Sequence, residues 1–133
     1  MNYCQFGVER LDEVKAIYRE AGWLAYLNDD EKLDRAFRNS LYLLGAFAED
    51  DLIGFVRCVG DGEHVVLIQD VIVSQAHRQR GIGTELMNRV LEKYSCVRMI
   101  SLYTDAQDKR ANSFYRKLGF VGIDANGMIS YMK

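Results

Sequence analysis

The stretch AHRQRGIGTELMNRVLEKY, residues 76–94, decides how the rest of the chain is read. Its second half has helical spacing. Ile82, Leu86, Val90 and Tyr94, with Met87 and Leu91 beside them, recur every three or four residues and make one apolar stripe. Its first half sets Gly81 and Gly83 just after Arg78 and Arg80, in a chain that contains no proline at all. A helix start leaves unpaired N–H groups pointing outward and carries roughly half a positive charge. Glycine has no Cβ, so backbone can come close to a ligand there. A strand, a glycine loop and a helix start together make an anion seat, and the two arginines add mobile positive charge. The same residues also fit a plain helix entry with solvated arginines. Two other phosphate motifs fail on spacing: no Gly-Lys-Ser/Thr triplet occurs, and a third glycine is missing near Leu86.

Working outward, the run before the loop, VVLIQDVIV (65–73), is the most apolar and β-branched in the chain and reads as a strand. Upstream of it, LYLLGAFAEDDLIGFVRCV (41–59) is two strand-like runs around an acidic turn at Glu49 to Asp51. NYCQF (2–6) is a further short strand. Between them lie two helical patterns. One carries Leu11, Val14, Ile17 or Tyr18 and Ala21 up to a stop at Gly22; the other carries Leu33, Ala36 and Phe37 behind a cap at Asp29 or Asp30. Downstream, VRMISLYT (97–104) is a strand and DAQDKRANSFYRKLGF (105–120) a helix with Ala111, Phe114 and Leu118 inward and Gly119 as its stop. FVGI, a turn at DANG and MISYM then read as a closing hairpin. The order β-α-α-β-β-β-α-β-α-β-β is an α/β plan of three layers with a mixed sheet.

With 133 residues and no linker, repeat or low-complexity segment, residues 1–133 are expected to form one domain. The apolar runs fall far short of the ~20 residues a membrane-spanning helix needs. The N-terminus lacks the pattern of a secretory signal, so a cytoplasmic protein is expected. A net charge of −2 with acids and bases mixed argues against a nucleic-acid binder. Cys4, Cys58 and Cys96, odd in number and scattered, give neither a disulfide framework nor a metal pattern.

A second stretch, NSFYRKLGF (112–120), puts Asn112 and Tyr115 three apart on one helix face. Taken with RQRGIG, the strand QDVIV before it and the order of elements, the whole chain resembles the GNAT family of acyl-CoA N-acyltransferases. Its Arg/Gln-x-x-Gly-x-Gly/Ala signature falls on Arg78, Gly81 and Gly83.

The resemblance implies a GNAT-like sandwich with a mostly antiparallel sheet, and acetyl-CoA as the acyl donor. It implies that Val71, Ile72 and Val73 pair through their backbone with the pantetheine arm. The pyrophosphate would sit on Arg78, Gln79, Arg80, Gly81, Ile82, Gly83 and Thr84. It also implies that QDVIV and RMISLYT splay apart, that an amine attacks the thioester directly, that Tyr115 protonates the leaving thiolate and that Asn112 orients the cofactor. Small members of the family often pair as homodimers, for which the hairpin ending MISYMK offers an edge.

The resemblance further implies that the acceptor is an amine, on a small molecule or a peptide. Asp70 is the best-placed carboxylate for a general base, though a structural acceptor of backbone N–H groups is the reading slightly favoured. Trp23 and Tyr26, at the break between the first helices, are placed to line an acceptor pocket, or to pack in the core. Cys58, among apolar neighbours, reads as packing. The competing reading is a non-catalytic acyl-CoA sensor or interaction module.

Overall fold

Strand β1 (Asn2–Gln5) is followed by helices α1 (Leu11–Ala21) and α2 (Asp30–Arg38) and then by three antiparallel strands, β2 (Tyr42–Ala48), β3 (Asp51–Gly60) and β4 (Val65–Val73). Helix α3 (Ile82–Lys93) leads to β5 (Met99–Leu102), and α4 (Lys109–Lys117) comes after it. The computed structural model describes residues 1–133, in two compact units, Met1–Leu102 and Tyr103–Lys133. The sheet belongs to the first unit and runs β1-β2-β3-β4-β5 in order; only the β4–β5 junction is parallel. This is the mixed, mostly antiparallel α/β plan expected from the sequence.

The turns have their origin in local chemistry. At the acidic hairpin, Ala48 pairs with Asp51 and Glu49 takes a positive φ of 57°, the backbone twist that tight hairpins require. At the β3–β4 turn, Asp61 Oδ1 accepts the N–H groups of Glu63, His64 and Val65 at 2.8, 2.8 and 2.9 Å. Those three bonds hold the Asp61 carboxyl down at about 2. Helix α2 is capped by Asp29, whose carboxylate accepts the Lys32 N–H at 3.0 Å.

Each sheet face buries its own helices. Val14, Ile17 and Tyr18 of α1 and Leu33 and Phe37 of α2 form one cluster with Leu43, Phe47, Leu52, Phe55 and Ile72. On the other side, Ile82, Leu86, Met87 and Val90 of α3 are buried, facing the strand residues of opposite pleat such as Leu44, Val56 and Cys58. Burying one such large apolar side chain contributes about 1.5–3 kcal/mol. Burial pushes the Cys58 thiol up to about 12, which suits an inert packing residue.

The ladder between β3 and β4 is interrupted at one point. Arg57 pairs with Asp70 but the next residue, Cys58, pairs with Ile68. Gln69 is therefore an extra residue with no partner across the ladder, a β-bulge. Every even-numbered residue of β4 from Val66 to Ile72 is buried. The bulge nevertheless puts Val66 and Ile68 on the α3 face and Asp70 and Ile72 on the α1 face.

The second unit corrects one expectation. Helix α4 does end at Gly119, which takes φ 94° while the Phe120 N–H bonds the Tyr115 carbonyl at 3.1 Å and the Gly119 N–H bonds Arg116 at 3.0 Å. The closing hairpin, however, does not form. Ile123–Asn126 is a 3-10 turn, with the Ala125 N–H on Gly122 and the Gly127 N–H on Asp124, and residues 127–133 carry no strand. Successive three-residue closures use the groups that a two-residue reversal would need. With no hairpin, the expected dimer edge is not present as a strand.

Candidate active site

The last strand pair between β4 and β5 is Ile68 with Leu102, where β5 ends, while β4 continues to Val73. From Gln69 onward no strand lies on that side of β4. The Ser74 N–H bonds the Ile53 carbonyl at 2.8 Å, toward β3. Because N–H and C=O groups alternate in direction along a strand, those of Ile72 also face β3, and those of Val71 and Val73 face the open edge. Of these, the Val73 carbonyl accepts the Arg78 Nε–H at 3.1 Å.

The chain then turns into the glycine loop. Gln75 is tied to α1 by its N–H on Glu20 at 2.6 Å, and the His77 ring lies 2.8 Å from the Ser74 hydroxyl. Gln79 has φ 64° and Gly81 φ 78°, so the backbone twists into the left-handed region twice before α3 begins. A Cβ on Gly81 would meet nothing within 4 Å. Glycine is required there by conformation rather than by crowding. The Glu85 N–H closes the first helical turn on Gly81 at 3.0 Å, and no side chain caps the helix. The N–H groups of Ile82, Gly83 and Thr84 therefore point out of the helix mouth, beside the exposed Arg78 and Arg80. The Ile82 side chain itself is buried beneath.

A second constellation surrounds Asp70. Helix α1 stops at Gly22, φ 77°, and the Trp23 N–H returns to the Tyr18 carbonyl at 2.9 Å. This closure folds Trp23 back so that its ring stacks 5.9 Å from that of Tyr18. The short turn Leu24–Tyr26 then lays the Tyr26 ring on Tyr18 at 4.4 Å. Both phenols point at Asp70. Tyr18 donates to Oδ2 and Tyr26 to Oδ1, each at 2.8 Å, and Arg57 Nε donates to Oδ2 at 2.7 Å. Arg57 and Asp70 are 6% and 2% exposed, and the guanidinium also lies 5.2 Å from the Phe37 ring centre. No buried side-chain polar atom lacks a partner.

The electrostatics agree with a fixed ion pair. Burial works to lower the Arg57 value, but the Asp70 charge and hydrogen bond outweigh it, so the guanidinium stays charged. Burial, then the Asp70 charge, raises Tyr18; burial is also the largest cause raising Tyr26. Both phenols therefore keep their protons. Outside the pair, Gln69 is exposed and its amide nitrogen donates to the Tyr26 hydroxyl at 3.1 Å.

Of the residues expected from sequence, the structure gathers Trp23, Tyr26 and Asp70 into one cluster, and joins Val71–Val73 to the loop at 78–84 through a 3-10 turn at Gln75–His77. Asn112 and Tyr115 lie on α4 in the second unit. The Asn112 amide donates to the carbonyls of Asp105 and Asp108 at 2.9 and 2.7 Å, fastening the preceding turn to its own helix. Tyr115 is half-buried, with the Phe114 ring 5.2 Å and the Phe120 ring 6.1 Å away. Sequence reading missed Tyr18, Arg57 and Gln69. Arg57 carried a signal, a lone charge inside the apolar run GFVRCV on a strand neighbouring Asp70. Tyr18 gave none beyond its core spacing, and Gln69 none at all.

Comparison with known proteins places the fold among acetyltransferases. The model of the Acetyltransferase (GNAT) family matches residues 8–120. The chain is 30% identical over 122 residues to GCN5-related N-acetyltransferase 1, chloroplastic, of Arabidopsis thaliana, across 89% of this chain and 59% of that protein. It thus spans about three fifths of the length of that relative. A GNAT-family acetyltransferase from Streptococcus pneumoniae has the same fold, with a TM-score of 0.85 and 28% identity over 99% of this chain and 96% of that one. The PaiA N-acetyltransferase of Thermoplasma acidophilum, solved in complex with coenzyme A, is similar in fold, with a TM-score of 0.67 and 20% identity over 88% and 87% of the two chains. No helix is long and apolar enough to cross a membrane.

Proposed function

The chain belongs to the GNAT family of acetyltransferases, and from that premise we propose that it moves an acetyl group from acetyl-CoA to a primary amine by direct attack. One observation carries this reading: β4 runs on past its last pair with β5 and is joined by one 3-10 turn to a loop whose helix mouth offers unpaired N–H groups. The neighbour solved with coenzyme A has the same fold. The N–H groups of Ile82, Gly83 and Thr84, with Arg78 and Arg80, would hold the pyrophosphate. The pantetheine arm would lie along the open edge of β4, with the Val71 and Val73 N–H groups beside it.

In the reaction the amine nitrogen bonds to the thioester carbon as the carbon–sulfur bond breaks. Holding both partners in line supplies about 7–11 kcal/mol of the acceleration. The Val71 N–H, on the open edge, is the donor we assign to the developing oxyanion; the Ile72 N–H faces β3. Tyr115 is assigned as the acid that protonates the departing thiolate. We assign Asp70 a positioning role rather than that of general base. Three donors already occupy its oxygens, and a proton taken there would leave Arg57 buried without its counter-charge. Trp23 and Tyr26 form the acceptor side, and the amine's proton leaves through water.

The decisive measurement is acetyl-CoA binding by calorimetry together with thiol release in the presence of amines. Tyr115→Phe should lower turnover by about 10²–10⁴-fold with the affinity for acetyl-CoA unchanged. Equal turnover would remove Tyr115 from its role. A protein that binds no acyl-CoA would end the whole reading.

A further inference from the structure

Arg57, Asp70, Tyr26 and Gln69 form a directed chain of hydrogen bonds that runs from the buried face of the sheet to its surface. A guanidinium only donates and an ionised carboxylate only accepts. Tyr26 gives its one hydroxyl proton to Asp70 Oδ1 at 2.8 Å, so its oxygen must accept from the Gln69 amide nitrogen, 3.1 Å away. The Gln69 carbonyl oxygen is thereby turned away from Tyr26. An exposed amide that could otherwise flip is oriented by a buried ion pair. Burial raises the Tyr26 hydroxyl, which keeps that proton, and the direction of the chain, in place at neutral pH.

Gln69 also occupies a special place on β4. It is the bulge residue on the β3 side and the first residue past the last β5 pair on the other. It thus stands at the vertex where the two parallel strands part. From Val73 back to Gln69 the strand covers about 13 Å at roughly 3.3 Å per residue. A thioester arm entering at the glycine loop and running along that edge brings its reactive carbon toward the vertex.

We infer that Gln69 is the residue that positions the acceptor, its side-chain carbonyl accepting an N–H of the amine during attack. The inference rests on the acetyl-transfer reading. A primary amine has two N–H bonds: one proton is lost to water, and the other, held by Gln69, stays on nitrogen and becomes the amide N–H of the product. A secondary amine has a single N–H and must lose it, so its bond to Gln69 does not survive the reaction. Gln69 therefore favours primary over N-methylated acceptors.

The test compares wild type with Gln69→Leu, a substitution at an exposed bulge position. The probes are benzylamine, putrescine and a lysine tripeptide, each beside its N-methyl counterpart. Affinity for acetyl-CoA is measured in parallel by calorimetry. The expected result is a drop of about tenfold in kcat/KM for the primary amine, as befits one lost hydrogen bond. Acetyl-CoA affinity should hold, and the preference for primary over N-methyl acceptor should shrink by a similar factor. An unchanged preference overturns the inference, whether or not overall activity falls, because a merely structural residue would slow both acceptors alike. Wild type that binds acetyl-CoA but acetylates none of the amines also overturns it and leaves the donor site standing. Failure to bind acetyl-CoA instead defeats the acetyl-transfer reading itself.

Discussion

The glycine loop at 78–84 and the cluster around Asp70 lie at the two ends of the same few residues of β4, yet they are built on opposite plans. The loop offers main-chain N–H groups, exposed arginines and two left-handed residues, with open space around Gly81. The cluster offers side chains from α1, the turn after it, β3 and β4, fully partnered and with Tyr18, Arg57 and Asp70 buried. A seat made of backbone needs only that the chain bend correctly. A cluster made of side chains depends on every member, since removing one partner leaves another buried and unsatisfied.

The two plans should respond differently to mutation. The largest effect is expected at the ion pair. Asp70→Asn leaves Arg57 buried without a counter-charge, so stability should fall by about 3–5 kcal/mol, read from the urea midpoint. A loss of under about 1 kcal/mol would mean the pair is effectively solvated and the contrast false. Next comes Gly81→Ala. Its cost is the left-handed conformation alone, about 1–2 kcal/mol, and the displaced N–H groups should weaken acetyl-CoA binding by about tenfold. The primary-to-N-methyl amine preference should not move. If it does, the donor and acceptor sides are not separable.

The smallest effect lies away from both regions, at Asp61. Its carboxyl sits at about 2 when folded, below the roughly 3.9 of an unfolded chain. The stabilisation is thus present above about pH 4 and is lost as pH falls toward about 2. Asp61→Asn should flatten the dependence of the urea midpoint on pH in that window. Equal slopes for the two proteins would mean the three N–H bonds are not kept in solution.

The same contrast explains what could be read from the sequence. The loop's turn into α3 was legible because a left-handed helix entry favours glycine, and glycine pairs are visible in one line of text. The helices and strands were legible from their periods, and α4 from its Gly119 stop. The Asp70 cluster was half legible: Trp23, Tyr26 and Asp70 stood out by type, but what joins them is Tyr18 and Arg57, distant in sequence. Nothing local marks Arg57 as the partner of Asp70 until the β3–β4 register is known. The terminal hairpin misled because Met128, Ile129, Tyr131 and Met132 have strand-like composition, while the DANG segment closes as a 3-10 turn. Its four apolar residues are left exposed.

The bulge at Gln69 carries a consequence for how this fold tolerates insertions and deletions. Removing that single position would let Ile68 and Asp70 sit as ordinary neighbours in the strand, each still on its present face. Both cores would thread as before, and a melting curve would register little. What would vanish is the outward amide at the fork of the strands, so a one-residue change in length here would separate a healthy scaffold from the acceptor preference proposed for Gln69.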